Sequence, residues 1–97
     1  MIRHVVLFTW SSEATEEQKA AVAAELGKLP DLIPQIRSYT LGPDAGINQG
    51  NHHFALVADF ATEDDYRVYR DHPRHQAVIA EHVKPILESR AAAQFAF

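Results

Sequence analysis

Residues 2–10 alternate, with Ile2, His4, Val6, Phe8 and Trp10 on one side and Arg3, Val5, Leu7 and Thr9 on the other. This period of two predicts a β-strand. Thr15 followed by Gln18, with Glu16 and Glu17 between them, is a helix start, because side-chain oxygens and negative charge meet the unpaired amides of a first turn. The helical spacing of Val22, Leu26, Leu29 and Ile33 predicts a helix over 16–29, stopped by Pro30 and Pro34. A second strand is expected over 36–41. Gly42, Pro43, Gly46 and Gly50 then mark a reversing loop.

A third strand is expected over 54–61, preceded by His52 and His53 as its start. Phe54, Leu56, Ala58 and Phe60 form one face of it, and Ala55, Val57, Asp59 and Ala61 the other. Thr62 with Asp65 opens a short helix carrying Tyr66 and Tyr69, which ends before Pro73. His72 is suited to cap a further helix beginning at Pro73, with Ile79, Val83 and Ile86 on its apolar side and Pro85 loosening its last turn. Ala91, Ala93, Phe95 and Phe97 alternate to the end as a fourth strand.

The order strand, helix, strand, strand, helix pair, strand predicts one α+β domain over 1–97. Its expected form is a ferredoxin-like antiparallel four-stranded sheet with helices on one face. The face away from the helices carries Val5, Leu7, Ala55 and Val57, whereas an antiparallel sheet exposed on one side normally turns polar residues to water. A second copy packed sheet to sheet would cover it, giving a homodimer and a dimeric α/β barrel.

Composition narrows the partners. Nine basic and 13 acidic residues give a net charge of −4, with no basic run to meet phosphates, so no nucleic acid is expected. The chain has no cysteine, which removes disulfides and thiolate sites. No apolar run reaches the roughly 20 residues of a membrane span, so no membrane partner is expected and the expected location is the cytoplasm. Six histidines raise the question of a metal. His72, His75 and His82 lie near Asp71, but no ligand spacing fixes a geometry, and no metal is assigned.

Three stretches carry a family likeness: Ile2-Arg3-His4-Val5-Val6-Leu7-Phe8, His72-Pro73-Arg74-His75-Gln76 and Glu81-His82-Val83-Lys84-Pro85. Together they resemble the stress-responsive dimeric α/β-barrel (Dabb) family, and within it the olivetolic acid cyclase-like polyketide cyclases. The resemblance implies a homodimeric ferredoxin-like fold and ring closure by aldol condensation without metal or cofactor. By position it places the catalytic histidine at His75, its tyrosine at Tyr69 and a supporting histidine at His4. The chain departs from the cyclase at Phe54, where the cyclase has histidine, and at Leu26, where it has tyrosine.

These residues suit that chemistry. His75 near a helix start would be held neutral, as a general base must be. Tyr69 could donate its hydroxyl to an enolate oxygen, and His4 could hold the second nitrogen of His75. Phe8, Leu26, Phe54, Leu56, Val78 and Ile86 are expected to line a pocket for a small apolar carbonyl ligand, with Trp10, Phe60 and Phe95 beside it. Two alternatives stand beside this cofactor-free cyclase or lyase: a non-catalytic stress-response protein and a cofactor-independent monooxygenase.

Overall fold

A computed structural model of the chain describes residues 1–97. The elements in order are β1 (Ile2–Trp10), α1 (Glu16–Gly27), α2 (Leu29–Leu32), β2 (Ile36–Pro43), β3 (Phe54–Phe60), α3 (Glu63–Asp71), α4 (Pro73–Val78) and β4 (Leu87–Ala96). Between α4 and β4 lie a π-helical turn, Ile79–Val83, and a 3₁₀ turn, Lys84–Ile86. The strands form one antiparallel sheet in the order β2-β3-β1-β4, the ferredoxin-like arrangement with the helices on one face.

Local chemistry accounts for the boundaries. The Thr15 hydroxyl accepts from the Gln18 amide (3.1 Å) while the Gln18 side chain accepts from the Thr15 amide (2.9 Å), closing both ends of a capping box. The first helix stops at Gly27, two residues short of the expected end, and Pro30 sits in the first turn of the separate α2. A proline suits that turn because no partner awaits its missing N–H. Pro85 likewise cannot donate to a helical carbonyl. The preceding turn widens, and the Lys84 amide reaches back to the Ile79 carbonyl, five residues away. The fourth strand begins at Leu87, four residues earlier than the alternation suggests, with a register shift between Thr9 and Trp10. His52 and His53 precede the third strand and do not begin it. His52 Nδ1 meets Thr9 Oγ1 at 2.8 Å, and His53 Nδ1 accepts from the Trp10 amide at 3.0 Å.

The core lies between sheet and helices. Val6, Phe8 and Trp10 of β1 and Phe54, Leu56, Ala58 and Phe60 of β3 pack there against Val22, Leu26, Leu29, Ile33 and Tyr69. Ala58 stands in register with both His4 and Tyr39. Its single methyl leaves room for the rings on either side.

On the opposite face Val5, Leu7, Ala55 and Val57 are only half-buried. Phe95 pairs with Arg3 across the β1–β4 ladder, so it belongs to this face and is 49% exposed; it is not beside the expected pocket. Phe97 follows it, its ring 4.5 Å from the Arg3 guanidinium. Arg3 also grips Asp59 through two bonds of 2.7 and 2.9 Å, and Ser38 Oγ donates to Asp59 at 2.7 Å. These donors hold the Asp59 carboxyl down to about 2.

A carboxyl with a depressed folded pKa stabilises fully above its unfolded value near ~4 and loses that contribution as pH falls toward its folded value. Asp59→Asn should therefore cost about 1 kcal/mol at pH 7, a modest figure because Arg3 is partly solvated. In urea titrations the gap between wild type and variant should close as pH falls from 4 toward 2; a gap that is independent of pH would contradict this role.

Candidate functional site

The site grows from a break between two helices. His72 takes an extended conformation (φ −63°, ψ 133°) that ends α3, and its ring Nδ1 accepts from the Arg74 amide at 3.1 Å, capping α4. The amide that a continuing helix would bring to the Arg70 carbonyl is that of Arg74, which donates to the His72 ring instead. Two side chains replace it: Gln76 Nε2 donates to this oxygen at 2.6 Å and His75 Nδ1 at 3.0 Å. A carbonyl can only accept, so Nδ1 of His75 carries the proton and Nε2 keeps its lone pair.

His4, on the central strand, is held in the opposite sense. Gln94 Nε2 donates to its Nδ1 at 2.7 Å, so the neutral ring carries its proton on Nε2. The ring is 4% exposed, and burial, reinforced by the Arg90 and His75 charges, pushes its pKa down to about 4. Burial also lowers His75, against the opposing pull of the Arg70 carbonyl. The helix start is not the leading cause, since α4 is a six-residue turn.

Both rings line one cavity of about 30 Å³, shared with Val6, Phe8, Leu26, Leu56, Tyr69, Ile79 and Arg90. Such a volume holds about one water molecule, well below the roughly 300 Å³ of a typical ligand pocket. The Tyr69 ring packs against His75 with centroids 4.3 Å apart and against His4 at 6.2 Å. Its hydroxyl does not face His75; it meets the Tyr39 hydroxyl at 2.8 Å. Burial raises both phenols, Tyr69 to about 12, so both stay protonated.

The structure thus brings together His4, Tyr69 and His75 with Phe8, Leu26 and Leu56, and it corrects four expectations. His4 does not hold His75; the Arg70 carbonyl does. Val78 and Ile86 are buried in the core away from the cavity. Phe54 is separated from the histidines by its packing with Phe8 and Trp10, at centroid distances of 6.1 and 5.9 Å. It lines instead a cleft of about 470 Å³ between α1 and the loop joining β2 to β3, with Trp10, Glu16, Lys19, Ala20, Ala23, Pro43, Asp44 and His53. Sequence reasoning missed Arg90, Gln94 and Tyr39. Gln94 alternates with the alanines of β4, a signal that was available. Tyr39 and Arg90 required the strand register.

His4 has a testable signature. A histidine held neutral by folding stabilises fully above its unfolded pKa near ~6.5 and loses that contribution as pH falls toward the folded value. Unfolding free energy should drop by about 2 kcal/mol between pH 7 and pH 5, and less in His4→Gln, measured by urea denaturation at each pH. Equal slopes in both proteins would refute a neutral buried His4.

Comparison with known proteins follows the same outline. The family model Dabb, Stress responsive A/B Barrel Domain, matches residues 2–97. A dimeric ferredoxin-like protein of unknown function from Thermobifida fusca YX is 45% identical, superposes with a TM-score of 0.92 and covers 99% of this chain and 90% of its own. A dimeric protein of unknown function and ferredoxin-like fold from Bacteroides fragilis NCTC 9343 is 30% identical, with a TM-score of 0.81 and coverage of 99% and 95%. The hydroxynitrile lyase of Passiflora edulis shares the fold at 19% identity, with a TM-score of 0.86 and coverage of 99% and 92%. No curated protein matches the sequence. No helix is long and apolar enough to cross a membrane.

Proposed function

The chain belongs to the stress responsive A/B barrel domain family, and on that premise we propose a homodimeric, cofactor-free enzyme that moves a proton on a small carbonyl compound. The observation that carries the reading is the pair of opposed imidazoles on one cavity. His75 offers a bare Nε2 as base, and His4 offers an Nε2–H as donor to the oxygen on which charge develops. A base of lowered pKa beside a neutral donor is the pairing that enolisation needs. The His75 nitrogen takes the proton from the carbon next to the carbonyl. The C–H electron pair becomes the enolate double bond, and the oxygen is stabilised by His4. Tyr69 packs against both rings, and its hydroxyl bond to Tyr39 fixes it there; it is a positioning residue in this scheme. Room for a ligand comes from the Arg90 arm, which is exposed and has no partner to break. Lyase chemistry is in keeping with a fold that also serves a hydroxynitrile lyase, and polyketide-type cyclisation would start from the same enolate.

The small cavity favours a second reading, a non-catalytic stress-response protein in which the polar groups satisfy one another around a single water. Hydrogen–deuterium exchange at the α-carbons of 2,3-pentanedione, followed by proton NMR at pH 7, separates the two. The enzyme should accelerate exchange beyond free imidazole at equal concentration, and His75→Ala should remove about 100-fold of that rate with the far-ultraviolet spectrum unchanged. Exchange no faster than with imidazole supports the second reading.

The dimer rests on the half-buried Val5, Leu7, Ala55 and Val57 and on a final strand that is exposed from Glu88 to Ala96, a long unprotected edge. The two relatives from T. fusca and B. fragilis are dimeric. Light scattering should give twice the chain mass, and Val57→Lys should shift the protein toward monomer. A wild-type monomer at micromolar concentration would overturn this part of the proposal.

A further inference from the structure

Arg90 has no role in the scheme above except as a movable wall, yet its placement is specific. It stands opposite Phe8 in the β1–β4 ladder, which turns it to the helix side of the sheet, where it lines the cavity with His4, Tyr69 and His75. The ion pairs of the chain join Arg3 to Asp59, Lys19 to Glu16, Lys28 to Glu25, Arg67 to Glu63 and Asp64, and Arg70 to Asp71. Arg90 takes part in none of them, nor in any side-chain hydrogen bond. It is the one cation among the cavity residues, and none of them is a carboxylate. The chain as a whole carries a charge of −4. A free guanidinium facing a hollow otherwise lined by apolar side chains, a phenol and two neutral imidazoles is therefore a local reversal of the protein's own field.

From this geometry we infer that the cavity takes a short oxo acid, with the carboxylate on Arg90, the ketone oxygen on His4 Nε2–H and the adjacent C–H toward His75 Nε2. The inference rests on the proton-transfer reading and narrows its substrate class from carbonyl compounds to anionic ones. The guanidinium fork matches a carboxylate through two parallel bonds. An anion arriving at Arg90 draws the arm into a fixed pose, and the ketone then lies between two imidazoles of opposite hydrogen-bonding sense. Proton transfer is as before: His75 gains the proton, the bond electrons pass to the enolate, and His4 stabilises the oxygen. No further reactant is needed.

The test compares 2-oxobutanoate with 2,3-pentanedione, which has a methyl group in place of one carboxylate oxygen and so no charge. Binding is measured by the chemical-shift changes of the labelled imidazoles and turnover by exchange at the carbon beside the ketone. The oxo acid should bind at least tenfold more tightly, and raising the salt should narrow the difference. In Arg90→Met the two ligands should bind alike, while Arg90→Lys should recover part of the preference. Arg90 is exposed and outside the core, so the variants should fold, and circular dichroism checks this. Diketone binding without preference for the oxo acid, or an oxo-acid affinity unchanged in Arg90→Met, overturns the Arg90 assignment and leaves the proton-transfer reading standing. Failure of both ligands to bind or exchange overturns both.

Discussion

Where α3 stops at His72-Pro73, the Arg70 carbonyl is left without a backbone amide, and the arrangement of the site depends on what fills that vacancy. A helix-end carbonyl without its amide is free for another donor, and the chain supplies the His75 ring and the Gln76 side-chain amide. The short run from His72 to Gln76 thus performs three linked tasks: it caps one helix, starts the next with proline, and fixes a histidine tautomer. Because that bond uses Nδ1, the other nitrogen keeps a free lone pair on a ring that lines the cavity. The tautomer of His75 follows from an ordinary demand of helix ends.

The second imidazole depends on the central strand. Alternation along β1 sends His4 into the core, where a charged ring would be costly, and Gln94, 90 residues away in the chain, supplies the single donor that completes it. Ala58 beside it is small enough for Tyr39, Tyr69 and the imidazole to share one layer. Sheet register rather than any local motif brings these groups to one point.

That dependence explains what could be read from the chain and what could not. The alternation of β1 and β3, the Thr15 and Thr62 caps, the His72 cap and the apolar second face of the sheet are encoded by neighbours in sequence, and they specify the fold and place His4, Tyr69 and His75 in one region. The partners of those residues are encoded at long range. Glu88-Ser89-Arg90 shows no apolar alternation, so the early start of β4 was hidden, and with it the position of Arg90 and the outward direction of Phe95. The expected bond from His4 to the second nitrogen of His75 gave way to a backbone carbonyl and an amide side chain. Phe54 was misplaced because its packing against Phe8 and Trp10 divides the interior into two spaces, a division that no pattern of apolar residues reveals.

The face opposite the helices shows the same interplay of apolar and polar demands. Its half-buried valines and leucine call for cover, while the Arg3–Asp59–Ser38 cluster and Phe97 occupy one end of it. The most direct test of the account concerns the two rings themselves. Long-range nitrogen–proton correlation spectra of the labelled imidazoles at pH 7 should show His75 protonated on Nδ1 with Nε2 bare, and His4 protonated on Nε2 with Nδ1 bare. Finding His75 protonated on Nε2, or either ring charged at that pH, would contradict it.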